Sequence, residues 1–327
     1  MSVPAGAPAR TTTAARRRLL GTAVAALLLG TGCAEQDFGT LAPPTAPAGQ
    51  PAGTLVRPAE ADVATTVQGV RDAITAAGGT VTAVVEHTAD ASAAGVRIPP
   101  SIEVIGGPPA AALPLLRVNQ HAGMNLPQRY LVREATHGSV SVATNSARYV
   151  AAVSGVPAPE AQTVLHDSTT AVLEAVAGAG AAHPAPLVGV TPTDRIVERS
   201  ADGEVAGAVE RLRDAADQAP TRTVAVVDMA AGSEVGGPPV RPTTLVLVSH
   251  PEAEAPLLAA APTIGIDLPL PFLVWVDQYG DSRLAHPDVR RLAERHGLAP
   301  DDPAVDRLAA EAERLAVAGA TIGGRSG

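Results

Sequence analysis

Three histidines in the last third of the chain, His250, His286 and His296, lie near two aspartates of the same motif set, Asp267 and Asp277. Imidazole beside carboxylate can ligate a metal ion or pass a proton, because a histidine titrates near neutral pH and offers two ring nitrogens. The spacings fit no metal template. There is no His-Glu-x-x-His, and Cys33 is the only cysteine, so there is no paired-cysteine metal site, and if Cys33 is lipidated no disulfide is possible. Capping competes for the same residues. His286-Pro287 reads as a helix start and His296-Gly297 as a helix end, where a cation suits the dipole. Glu86-His87 closes a predicted strand, and a strand-end hydrogen bond is the plain alternative to a ligand contact there. Asn125 and Asp267 each stand before Leu-Pro, where a short polar side chain can accept from nearby backbone amides as the turn begins. An enzyme made from this set would be a hydrolase or a metal-dependent activity centred on His250, Asp267 and His296. It would need those three side chains to converge within hydrogen-bond reach.

Residue types exclude other chemistries. All 24 basic residues are Arg, and without Lys there is no Schiff base and no phosphate-loop lysine. No Gly-x-Ser-x-Gly elbow is present. Gly178-Ala179-Gly180 follows a predicted helix rather than a strand, so it is linker and not a dinucleotide loop. No cofactor is expected. A net charge of −9 argues against nucleic acid as a partner.

The elements that must position these residues come in two copies. Leu113-Pro114-Leu115-Leu116, Gly123-Met124-Asn125-Leu126-Pro127 and Tyr130-Leu131-Val132 return as Ala255-Pro256-Leu257-Leu258, Gly265-Ile266-Asp267-Leu268-Pro269 and Phe272-Leu273-Val274, each 142 positions later without a gap. Val63, Val67, Val70 and Ile74 mark one helical face, with Pro58 just inside the expected start. Val205, Val209 and Leu212 repeat that face, with Asp202 at the expected N-cap. Strands are predicted from Val81 to Glu86, Ser101 to Ile105, Gln128 to Glu134, and Ser139 to Thr144, the last alternating as a half-exposed strand should. Two copies are too few for a solenoid. They look like a fused dimer packed about a pseudo-twofold axis. Trp275, the only Trp, is expected in a core or at the seam between copies.

Arg16-Arg17-Arg18, the apolar run from Ala23 to Leu29 and Gly30-Thr31-Gly32-Cys33 read as an export signal (1–33) ending in a lipobox-like cysteine. The expectation is an exported lipoprotein held on the outer face of the cytoplasmic membrane through Cys33. Its remaining partner would be an envelope protein or a small ligand. Loss of residues 1–32 removes four Arg and no acid, moving the net charge from −9 to −13. A tether (34–53) rich in Ala, Pro and Gly follows. Then come a first module (54–156), a helical linker (157–190), a second module (191–298) and a terminal helix (299–320).

The second copy carries His250-Pro251, Ala255-Pro256-Leu257-Leu258, Ile266-Asp267-Leu268-Pro269, Trp275-Val276-Asp277, His286-Pro287 and Arg295-His296-Gly297-Leu298. This pattern resembles the domain of unknown function family DUF302. The resemblance implies an α+β fold: two repeated modules, each an antiparallel sheet with helices on one face, ordered β-α-β(4)-α in a TATA-binding-protein-like way. It implies no activity. Family members often carry Asp-His after the first long strand. Here that pair is Glu86-His87 in one copy and Asp228-Met229 in the other. Asp267 is Asn125 in the first copy, and Arg295-His296 is Val153-Ser154. The candidate ligand contacts are therefore Glu86, His87, Asn125, Asp228, His250, Asp267 and His296, divided between the copies. The purpose of the chain is expected to be binding rather than catalysis.

Overall fold

The computed structural model describes residues 49–322, except 136, 180–182, 193–194 and 219; Cys33, the export signal and most of the tether lie outside these residues. In the first copy the order is β1 (Thr54–Ala59), α1 (Val63–Ala76), β2 (Thr80–Val85), α2 (His87–Ala93), β3 (Ser101–Gly107) and α3 (Pro109–Val118). A 3-10 turn (Gln120–Asn125), β4 (Arg129–Glu134), β5 (Val140–Asn145), α4 (Ala147–Val153) and α5 (Pro159–Ala177) complete it. The second copy gives β6 (Ile196–Ser200), α6 (Val205–Ala216), β7 (Arg222–Asp228), β8 (Thr243–Ser249) and α7 (Pro251–Ala260). Its own 3-10 turn (Pro262–Asp267), β9 (Leu270–Val276), β10 (Ser282–Pro287), α8 (Val289–Arg295) and α9 (Pro303–Ala320) follow. Each copy makes one antiparallel five-stranded sheet, β1-β5-β4-β3-β2 and β6-β10-β9-β8-β7.

Strand alternation gives each sheet two apolar faces, and both are covered. In β8 and β9, Val246, Val248, Phe272 and Val274 face α6 and α9 of their own copy, while Leu245, Leu247, Leu273 and Trp275 face the first copy's α3 and 3-10 turn. In the first sheet Val104, Tyr130, Val132 and Val142 pack under α1 and α5, whose Val172 and Leu173 join that core. Leu131 and Ala143 point the other way, against Ile266 of the second copy. The interlock is thus reciprocal: each 3-10 turn lies on the opposite copy's sheet. Gly265 has no side chain at this contact, and a Cβ there would sit 3.1 Å from Leu131 and 3.2 Å from the His87 ring. The Leu-Pro bonds that end the two turns, Leu126-Pro127 and Leu268-Pro269, are both cis.

Four sequence expectations are corrected. Pro58 lies in β1, opposite Ser141, and α1 starts later with Asp62 as its cap, accepting from the Thr65 amide. A proline is tolerated in β1 because β1 is an edge strand. Asp202 is not the cap of α6: Glu204 holds that place, and the Asp202 carboxylate accepts from the Ile322 amide. His286-Pro287 ends β10, and α8 is opened instead by Asp288. β5 is not half-exposed, because the second copy covers its other face; Ala143, Thr144 and Asn145 are all buried.

Candidate functional site

The junction between copies holds two distinct environments. The first is polar. Asp267 ends the second 3-10 turn, and Arg295 and His296 end α8, so the corner and the helix end meet. Arg295 Nη1 donates to Asp267 Oδ2 at 2.6 Å, and His296 Nε2 lies 2.8 Å from the same oxygen. The other guanidinium nitrogens donate to the Ala52 carbonyl and to Asn145 Oδ1 of the first copy, and the cation stacks 3.8 Å over the Tyr149 ring. The remaining imidazole nitrogen, Nδ1, lies 2.9 Å from the Thr263 hydroxyl. A neutral ring satisfies both contacts, donating from Nε2 and accepting from Thr263. Burial lowers the His296 pKa and so favours that form. Burial alone would raise the Asp267 pKa, but Arg295, His296 and Arg129 outweigh it and hold the carboxylate well below its ordinary range.

Asn125, the counterpart of Asp267, lines the same small cleft, about 50 Å³, together with Arg129, Tyr149 and Arg195. The two polar corner positions therefore lie together across the copies. The expectation that Asp267 serves nearby backbone amides is replaced by one of side-chain pairing: its hydrogen bonds go to Arg295, His296 and Asn145.

Of the proposed catalytic trio, Asp267 and His296 meet, and His250 is committed elsewhere. Its Nδ1 caps α7 by accepting from the Ala253 amide. Around it, Glu254 is fully buried and accepts from the His250 amide and the Ser249 hydroxyl; burial pushes its pKa up to about 7. His87 is also fully buried, and its Nε2 meets the Gly265 carbonyl across the junction at 3.0 Å, so the expected strand-end hydrogen bond is made to the other copy. Burial lowers its pKa to about 4. Glu86 is exposed at the start of α2. Trp275 sits at the seam, edge-on to His121 of the first copy.

Two buried charged residues have no precedent in the sequence reading, Glu103 and Arg129. They approach to 3.6 Å, diagonally across β3 and β4, and Arg129 donates to the Pro269 carbonyl of the other copy. Burial raises the Glu103 pKa well above its ordinary value. A lone acid in the apolar run of β3 and a lone Arg opening β4 were the only signals. No group of three or more His, Cys, Asp or Glu suited to a metal ion occurs among the described residues.

The second environment is apolar. A cavity of about 200 Å³ opens where α3 and α5 of the first copy meet the end of β7 in the second. Ala111, Ala112, Leu113, Leu126 and Leu165 line it from one copy, and Val227 and Met229 from the other. Asp228 is exposed at its margin, its Oδ1 accepting from the Ala230 amide. The pseudo-equivalent place in the other half carries different residues. Ser249, His250 and Glu254 stand there for Gly107, Pro108 and Ala112, and His87 stands for Met229; all four are buried. Small apolar residues thus make a cavity in one half, and larger polar ones pack together in the other.

The model for "Domain of unknown function DUF302" matches residues 56–176 and again 197–316. A 94-residue stretch is 34% identical to the fluoride-specific ion channel FluC 1 of Brucella suis, covering 29% of this chain and 37% of that protein. The same extent and identity hold for FluC 1 of Brucella abortus, of which 35% is covered. The chain thus spans about a third of the length of these curated relatives. The crystal structure of an uncharacterized conserved DUF302 protein from Bacillus stearothermophilus is 20% identical, with a TM-score of 0.33 over 38% of this chain and 94% of that one. Among the described residues no helix is long and apolar enough to cross a membrane.

Proposed function

Since the chain belongs to the DUF302 family in two linked copies, we propose that it is a non-catalytic binding protein whose ligand is an apolar small molecule held at the junction of the copies. The observation that carries this reading is the cavity of about 200 Å³ lined by Ala112, Leu113, Leu126 and Leu165 from one copy and Met229 from the other. Dry apolar cavities of roughly 150 Å³ take up molecules the size of benzene. The cavity is smaller than the roughly 300 Å³ at which drug-sized sites begin, so the ligand is a fragment-sized molecule or one end of a larger one. The polar cluster supports the same reading. His296 has both ring nitrogens engaged and Arg295 spends its donors on Ala52, Asn145 and Asp267, which suits a lock between copies better than a hydrolase or metal-dependent site.

The test is thermal unfolding of the purified protein with small hydrocarbons and aromatic alcohols. A ligand at 100 times its Kd adds about 2.7 kcal/mol of apparent stability, and Ala112→Phe should abolish the gain. The reading fails if no probe raises the midpoint.

The cellular setting belongs to the same proposal: a lipoprotein tethered to the outer face of the cytoplasmic membrane through Cys33, presenting the two modules to the envelope. Its support is the arginine cluster, the apolar run and the position of Cys33. Palmitate labelling of the wild type but not of Cys33→Ala is expected; equal labelling would sink the anchor.

A further inference from the structure

The cavity's chemistry narrows the class of ligand. Among the described residues that line it, Asp228 is the single ionisable one and none is an arginine. The remaining polar lining comes from uncharged side chains, among them Thr80, Gln128 and Ser168. In the counterpart half Arg222 occupies the place of Thr80 and pairs with Asp90 at 2.7 Å; the half with the cavity has Thr80 and Gly232 at those two positions, so that ion pair is absent there. The carboxylate of Asp228, whose own counterpart is the exposed Glu86, stands at the margin of an apolar chamber. Its Oδ1 is engaged by the Ala230 amide. We infer that this site takes a small aliphatic or aromatic cation: a protonated amine whose hydrocarbon body enters the chamber between Ala112, Leu165 and Met229 while its ammonium meets Asp228. This inference rests on the apolar-ligand reading above and adds the charge.

Two physical terms divide the work. The hydrocarbon body supplies affinity by leaving water, in proportion to the apolar area buried. The ammonium-to-carboxylate contact supplies selectivity, and because Asp228 is exposed it contributes modestly and weakens with salt. A carboxylic acid of the same shape meets the like charge of Asp228 and is disfavoured.

The experiment is calorimetric titration of the purified protein with three near-isosteric probes, benzylamine, benzyl alcohol and benzoate, at pH 7 and low salt. Benzylamine should bind roughly two- to fivefold more tightly than benzyl alcohol, the range of an exposed ion pair, and benzoate most weakly. Asp228→Asn keeps an oxygen for the Ala230 amide and should bring benzylamine down to the level of the alcohol, leaving the alcohol unchanged. Ala112→Phe should abolish binding of all three. Equal affinity of amine and alcohol, or an amine preference that survives Asp228→Asn, overturns the inference while leaving the apolar site standing. Failure of every probe to bind overturns both.

Discussion

Ala112 and Glu254 stand 142 positions apart, at the same place on the same helix of the two copies, and they shape opposite environments. Ala112 borders a cavity of about 200 Å³. Glu254 is buried and hydrogen-bonded to Ser249 and to the amide of His250. One duplicated framework therefore carries an apolar chamber in one half and a closed polar cluster in the other.

The lock at Asp267 is expected to contribute strongly to stability. Asp267→Asn fits the corner sterically, since Asn125 occupies the equivalent place, but it leaves the Arg295 cation, whose side chain is 1% exposed, without its carboxylate. Removing one member of a buried pair costs about 3–5 kcal/mol. Urea unfolding should show a loss of that size at pH 7. A loss below about 1 kcal/mol would mean that the pair does not hold the copies together.

Buried Glu254 and His87 make opposite contributions to the pH dependence. The folded state raises Glu254 to about 7, so its neutral form is favoured: its contribution is full below the ordinary carboxylate range and is lost as pH rises through about 7. The folded state lowers His87 to about 4, so its contribution is full above the ordinary histidine value and is lost as pH falls through about 4. The stability difference between wild type and Glu254→Gln should therefore fall from pH 4.5 to 7, by on the order of 3 kcal/mol. The difference between wild type and His87→Gln should rise over pH 4 to 6.5. Parallel curves for either pair would contradict the assignment.

The reciprocal packing predicts a single unfolding transition. Trp275, as the only Trp, reports the seam, while far-UV circular dichroism reports both sheets. The two signals should change together in denaturant, because neither copy covers its second sheet face alone. A fluorescence change well ahead of the dichroism would mean that the copies separate before they unfold.

Crowding the interlock should cost stability without touching either cavity. In Gly265→Val the added carbons meet Leu131 and the His87 ring beside the hydrogen bond that joins the copies. A loss of roughly 1–3 kcal/mol is expected, as for overpacked cores. An unchanged urea midpoint would show the contact to be loose.

Much of the framework was legible in the sequence, and the reason is periodicity. The spacing of Val63, Val67, Val70 and Ile74 gave α1, and the gapless match between Asn125-Leu126-Pro127 and Asp267-Leu268-Pro269 gave the duplication. The apolar stretch Phe272-Leu273-Val274 was legible as part of the repeat, but that β9 is buried on both faces, with the other copy's 3-10 turn covering the second, follows only from how the copies pack. The corner residue Asp267 was visible, whereas its partner Arg295 was seen only as part of a motif, because 28 residues separate them and nothing local links a helix end to a turn. Glu103 and Arg129 were missed because a diagonal pair depends on strand register. The cavity was missed for a related reason: Ala112 and Met229 are ordinary in their own segments and meet only when the copies pack.

The claim that the junction cavity is a binding site is tested most directly by methyl NMR. The chain has three methionines, of which Met229 lines the cavity and Met124 lines the separate polar cleft. Titration of methyl-labelled protein with benzyl alcohol should shift the Met229 resonance saturably, leave Met124 in place, and do neither in Ala112→Phe. A Met229 resonance that stays fixed, or one that moves equally in Ala112→Phe, would contradict the account.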